Sequence, residues 1–245
     1  MKSGEGSGTG TPQPIDPSRI LYEDNHLIVV HKKAGDIVQG DRTGDIPLSR
    51  MVKDSIKERY SKPGNVYLGV VHRLDRPVSG VLLFAKTSKA LSRLNKAFQE
   101  KRTEKVYWVV VEGIHEGRNR LEDHLIKNER KNKSRIVGEK LKRSRKAALR
   151  YEVVGLGDRY SLLEVIPETG RHHQIRVQLA DRGMPIKGDV KYGARRPNKD
   201  ASIHLHARSL AFPHPTDGSF PRIEDPAPVG DALWELFMKM RDLHS

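Results

Sequence analysis

Short runs of β-branched and aromatic residues, rather than long amphipathic stretches, dominate the pattern of apolar positions. His26–His31 (HLIVVH), Gly80–Lys86 (GVLLFAK), Tyr107–Glu112 (YWVVVE), Ala148–Leu156 and Tyr160–Ile166 each predict a strand. The Gly157-Asp158 pair between the last two predicts a hairpin turn. Helical spacing is confined to a few segments. Leu48, Met51, Val52 and Ile56 share one face of Leu48–Tyr60, with Asp45 as a nearby N-cap candidate. Leu91, Leu94 and Phe98 do the same in Ser88–Lys101, where Ser88 is the expected cap. His173–Arg182 predicts a third helix stopped by Gly183, and Asp231–Arg241 a fourth with Leu233, Trp234, Phe237 and Met238 inward. Hairpins with scattered helices point to an α+β fold, a mostly antiparallel mixed sheet flanked by helices and loops. Gly155-Leu156-Gly157 lies between two strands and lacks a third glycine, so it is no dinucleotide fingerprint and no nucleotide cofactor is expected.

Residues 1–17 are Gly, Ser, Thr and Pro with almost nothing to bury and read as a disordered tail, without the apolar middle of a secretory signal. From residue 18 to 245 the pattern is continuous, which predicts one catalytic domain. No apolar run reaches the roughly 18–20 residues that span a bilayer. The default expectation is a cytoplasmic protein, read as a monomer.

Charge changes the picture. The 245 residues carry 45 Lys+Arg against 31 Asp+Glu, a net charge of +14, and a chain this basic attracts polyanions. The excess is concentrated: Lys127–Arg150 holds eleven basic residues and two glutamates. With few apolar positions between two strand signals, this stretch should project as a loop or extended hairpin. Lys131, Lys133, Arg143 and Arg145 are its candidate contacts to phosphates. Charge alone does not separate RNA from DNA. The absence of cysteine removes disulfides, thiolate zinc sites and cysteine nucleophiles.

Three polar clusters interrupt the strands. In His72-Arg73-Leu74-Asp75-Arg76-Pro77, two strand signals deliver a charged turn to one place, and the flanking cations favour an ionised Asp75. That carboxylate reads equally well as a nucleophile or as a structural ion pair at a strand end. Glu168-Thr169-Gly170-Arg171-His172-His173-Gln174-Ile175-Arg176 makes a tight turn into a helix whose first amides attract anions. Adjacent histidines on a helix point apart and no third ligand has a recognisable spacing, so no metal is expected. Lys105-Val106-Tyr107 opens a strand and supplies a phenol with a flat face for a base.

These clusters, in this order, resemble the RluA family of pseudouridine synthases from about Ile20 to Pro215. ILYEDNHLIVVHKKAGDIV is similar to the family's first strand motif, HRLDRPVSGVLLFAK to its catalytic motif and KVYWVVVEG to its tyrosine motif. PETGRHHQIRVQLADRGMPIKGDVKYG is similar to the arginine-containing motif, and HLHARSLAFPHP to the late strand. The resemblance implies a catalytic aspartate at Asp75, an active-site tyrosine at Tyr107 and a carboxylate-pairing arginine at Arg176. It also implies structured RNA, ribosomal or transfer, as partner and no cofactor, with His72, Arg73, Arg76, Arg171 and His173 lining the RNA side. Val78 and His172 stand where the family has threonine, and threonine or serine; both are expected beside the site without touching it. No separate N-terminal RNA-binding module is expected in so short and polar a tail. Two rivals remain at this point: an RNA-binding assembly factor without catalysis, and a glycosidase releasing free uracil, for which Glu168 would be the second carboxylate.

Overall fold

The computed structural model describes residues 13–41 and 43–242. Its spine is a single sheet of eleven strands. In chain order the elements are β1 (Ile20–Glu23), β2 (Leu27–Lys32), α1 (Leu48–Arg59), β3 (Gly69–Val70), β4 (Ser79–Ala85) and α2 (Ser88–Gln99). Then come β5 (Glu104–Glu112), β6 (Arg118–Asn128), β7 (Lys133–Val137), β8 (Arg145–Leu156) and β9 (Tyr160–Pro167). The chain ends with α3 (Gln174–Asp181), β10 (Leu205–Ala211), β11 (Arg222–Glu224) and α4 (Ala232–Asp242). The strands lie in the order β1-β2-β4-β10-β5-β9-β8-β6-β7, with β3 on β4 and β11 on β10.

Every pairing is antiparallel except β10 with β4. The expected α+β class with a mostly antiparallel mixed sheet is what forms. At the parallel junction Gly80 has φ +120° and lies so close to Ala207 that a Cβ there would overlap its backbone nitrogen and oxygen. Glycine is therefore required where the late strand meets the strand following Asp75.

Alternation along the strands divides the core between two faces. Ile28, Val30, Leu82, Phe84, Val109 and Val111 pack with Leu48, Val52 and Ile56 of α1 and Ile175 and Leu179 of α3. Leu27, Val29, Val81 and Leu83 turn to α2, and Trp108, Val110 and Leu162 to α4. All seven β4 positions are buried, which is why its sequence runs apolar after Ser79 instead of alternating.

Several local expectations shift. Asp45 does not cap α1: Pro47 occupies the N-cap without a side-chain bond, and Asp45 pairs with Arg76 at 2.7 Å. Thr87, not Ser88, caps α2, its hydroxyl accepting from Ala90 N–H at 3.1 Å. The third helix starts one residue late, because His173 takes a left-handed φ of 53° at its N-cap. Of the tail expected over residues 1–17, residues 1–12 lie outside the described residues, and its last part does not behave as one. Ile15 is 1% exposed in the core, its N–H donating to Met51 C=O at 3.2 Å. One apolar side chain among polar neighbours is enough to anchor that segment.

Candidate active site

Asp75 sits in the turn before β4. Its side chain is 30% exposed, and its Oδ2 takes a 2.8 Å bond from Arg176 Nη1. Oδ1 makes no side-chain hydrogen bond or ion pair among the described residues. Arg176 comes from the buried side of α3 and is held on its other edge by Asp189, with Nε to Oδ2 at 2.7 Å and Nη2 to Oδ1 at 2.9 Å. Its guanidinium also lies 5.1 Å from the centre of the Tyr192 ring. Burial works against the charge on Arg176, but Asp189 and then Asp75 outweigh it and raise its pKa, so it stays cationic. Asp189 is 1% exposed, so this bidentate pair is a fixed mount and not a mobile surface bridge.

The turn itself is pinned by a buried cation. Lys32 is 0% exposed, and its Nζ donates to the carbonyl oxygens of Asp75 (3.1 Å), Arg76 (3.1 Å) and Val78 (2.6 Å), and to that of Lys33 (3.2 Å). Burial pushes the Lys32 amine down to about 8, against the pull of Asp36 and Asp75. The Val78 side chain joins the core at 2% exposure, so the departure from threonine is absorbed by packing.

Three side chains complete the immediate surroundings. Tyr107 is half-buried, packed against the core. Burial and then the nearby Asp75 push its phenol above the ordinary value, so the phenol is protonated at neutral pH. His173 is buried, with Nε2 3.4 Å from Asp75 Oδ2 and Nδ1 2.8 Å from the Tyr192 hydroxyl. Burial, opposed by Asp75, takes this imidazole down to about 3, so it is neutral. His172 lies against it, the two rings stacked at 3.8 Å. The histidines therefore do not point apart on a helix: both precede α3, and the left-handed residue brings their rings together. Nor is His172 clear of the site. Among the described residues no group of three or more His, Asp or Glu side chains is arranged to hold a metal ion.

The other candidates divide. His72 serves the scaffold: its Nε2 accepts from Leu83 N–H at 3.1 Å and its ring stacks on Phe98 at 5.2 Å. Burial, reinforced by Lys105, lowers it to about 3, so it offers no cation to a phosphate. Arg73 is exposed and makes no ion pair among the described residues. Arg76 is half-exposed on Asp45, and Arg171 is exposed with its Nε on Lys146 C=O at 2.9 Å. The basic stretch forms an extended, ordered arm, β6 and β7 as a hairpin followed by β8 on the other side of β6. Lys131, Arg143 and Arg145 are exposed on it with no acidic partner among the described residues, while Lys133 Nζ lies 4.9 Å over the Tyr192 ring. Lys32, Asp189 and Tyr192 escaped the sequence reading. The only signal for each was its place inside a motif: Asp189 and Tyr192 in the arginine motif, Lys32 in the first strand motif.

Comparison with known proteins identifies the family and the fold. Residues 26–181 match the family model described as RNA pseudouridylate synthase. The chain is 35% identical over 235 residues to ribosomal large subunit pseudouridine synthase C of Escherichia coli O157:H7, covering 91% of this chain and 70% of that protein. It is 31% identical over 220 residues to the protein of that name from Buchnera aphidicola (strain APS), covering 86% and 68%. Among solved structures, human RNA pseudouridylate synthase domain containing 4 shares the fold, with a TM-score of 0.75 at 21% identity over 92% of this chain and 93% of that one. Human RNA pseudouridylate synthase domain containing 1 has a TM-score of 0.68 at 25% identity, covering 89% and 86%. The chain belongs to the RNA pseudouridylate synthase family, in keeping with the RluA resemblance of its motifs, and is an isomerase that converts uridine in RNA to pseudouridine.

Proposed function

We propose that this protein isomerises uridines of large-subunit ribosomal RNA, with Asp75 as its catalytic carboxylate. The ribosomal target is carried over from the names of the bacterial relatives. The observation that carries the residue assignment is the 2.8 Å Arg176–Asp75 pair, which holds one carboxylate oxygen and leaves the other open to a substrate. In the reaction the bond from ribose C1′ to uracil N1 breaks, the base turns, and C1′ joins C5, which loses its proton while N1 gains one. Atoms and electrons balance within the nucleotide, so neither an oxidant nor an activated donor is required.

Asp75 Oδ1 attacks or deprotonates the ribose, the covalent and elimination routes both being compatible with this placement. Arg176, mounted on Asp189, pairs with the carboxylate and keeps it aimed. Tyr107 offers its ring face to the uracil; with its pKa raised, the phenol is poorly matched to accept the C5 proton at neutral pH. Reaching the base in a stem or loop requires flipping it out of its stack, at about a few kcal/mol. Arg73 and Arg76, on either side of Asp75, are placed to hold the neighbouring backbone, and Lys131, Arg143 and Arg145 extend that contact along the arm.

The test uses unmodified ribosomal and transfer RNA transcripts tritiated at uracil C5. The wild type should release tritium from large-subunit ribosomal RNA, and Asp75→Ala should lose at least about a thousandfold in rate while still binding the RNA. Turnover by Asp75→Ala at the wild-type rate would remove the assignment, and release only from transfer RNA would remove the ribosomal target.

A further inference from the structure

The arm is wired to the Asp75 site. Asn132, Lys133 and Ser134, where the hairpin turn enters β7, meet the two histidines and Tyr192. Ser134 is buried at 2% exposure, and its hydroxyl donates to His172 C=O at 2.7 Å. The same oxygen lies 2.8 Å from His172 Nδ1, and the Asn132 side-chain amide lies 3.0 Å from Nε2. Lys191 Nζ closes the joint from the far side, donating to Asn132 C=O at 3.1 Å.

Two routes lead inward from this joint. One is the stack of His172 on His173. The other runs through hydrogen bonds: Ser134 N–H donates to the Tyr192 hydroxyl at 2.8 Å, which lies 2.8 Å from His173 Nδ1. The other ring nitrogen of His173, Nε2, lies 3.4 Å from Asp75 Oδ2. Both routes end on the same carboxylate, and both begin at a segment flanked by unpaired cations.

We propose that the Ser134–His172 joint transmits the seating of RNA on the β6–β7 arm to the placement of Asp75, which makes His172 a positioning residue. This rests on the synthase reading of Asp75. The hydrogen-bonding and ring contacts of His172 are to Ser134, Asn132 and His173 and not to Asp75; it acts by fixing His173 and the turn of the arm relative to each other. An RNA that binds elsewhere on the basic surface without engaging the arm leaves Asp75 less well placed, so the joint favours substrates whose shape reaches both.

The experiment measures single-turnover tritium release at saturating ribosomal RNA, the dissociation constant for the same RNA, and thermal unfolding. His172→Ala should lower the rate about tenfold, the scale of a small misplacement of reacting groups. Its dissociation constant should stay within about twofold, since a lost positioning contact acts on kcat and not on binding. His172→Asn, whose amide reaches the place of Nδ1, should recover most of the rate. The decisive arm is a double-mutant cycle with Arg130→Ala/Lys131→Ala, which removes two exposed arm cations next to Asn132. Those changes should slow the wild type at saturation but slow His172→Ala no further. An unchanged rate in His172→Ala, a loss of binding equal to the loss of rate, or additive effects in the cycle would overturn the proposal. If His172→Ala does not fold, Ser134→Ala cuts the same joint from the arm side and is read against the same outcomes. Absence of turnover by the wild type would sink the synthase reading itself, whereas wild-type turnover with an unaffected His172→Ala sinks only the joint.

Discussion

At the Asp75 site Arg176 is held between Asp189 and Asp75, buried and bonded on both edges, whereas on the arm Lys131, Arg143 and Arg145 are exposed with no acidic partner among the described residues. The same side-chain type does opposite work in the two places. A buried guanidinium is expensive to desolvate and is stable only when its partners are fixed, so it defines a position. An exposed, unpaired cation costs little to keep and specifies no geometry, but each one adds to the attraction for a polyphosphate. Positioning and attraction are thus separated in space, and the small polar joint between Ser134 and His172 is where they meet.

The largest effect that would break this contrast lies on the buried side. Asp189→Ala strips Arg176 of its mount and should lower unfolding free energy by about 3–5 kcal/mol, as removal of one partner from a buried pair does. Turnover should fall by about a hundredfold in whatever fraction remains folded. Chemical denaturation together with the tritium assay checks both. A loss below about 1 kcal/mol would mean that the pair behaves like a surface bridge.

Next comes acid. His173 and His206 are buried and neutral, at about 3 and about 4, their pKa values lowered chiefly by burial. The unfolded chain takes up protons near 6.5 while the folded one does not, so the stability these rings contribute is complete above pH 6.5. It is lost as pH falls toward those lower values, by roughly 1.4 kcal/mol per histidine per pH unit. Melting temperature should therefore drop between pH 6.5 and 5, before most carboxylates titrate. A flat profile in that window would show that the rings are not held neutral.

On the arm, Lys131→Ala/Arg143→Ala/Arg145→Ala should leave melting nearly unchanged and reduce the slope of log affinity against log salt by about 2–3. An undiminished slope would place RNA elsewhere. The smallest effect tests the contrast at its boundary. Arg76 and Asp45 pair at 2.7 Å beside the Asp75 turn, yet both are about half-exposed. If exposure and not proximity to the site decides, Asp45→Ala should change stability by no more than about 1 kcal/mol in a thermal melt.

Much of this was legible along the chain. The five strands and four helices read from apolar spacing appeared close to their expected places, because period-2 and period-3.6 patterns report the face that each element buries; the other six strands did not show in that spacing. The basic arm was visible as composition, and the motif resemblance pointed to Asp75, Tyr107 and Arg176. The errors were local. Asp45 was read as a cap from its distance to a helix start, but Arg76 offered it a charged partner. The histidine pair was read on helical geometry, but one left-handed residue stacked the rings. His72 was read as a cation for RNA, but burial leaves it neutral.

By itself, then, the amino-acid sequence determined the element pattern, the fold class and the family, since these rest on periodicities and motifs carried by neighbouring residues. Only the tertiary structure decided the site's wiring. Arg176 and Asp75 are 101 residues apart, Lys32 and Asp75 are 43, and Ser134 and His172 are 38. A lysine at a strand end or a histidine beside a helix takes its role from what folding brings against it. Burial then sets protonation, and hydrogen-bonding partners set position; neither is written in the spacing of the residues concerned.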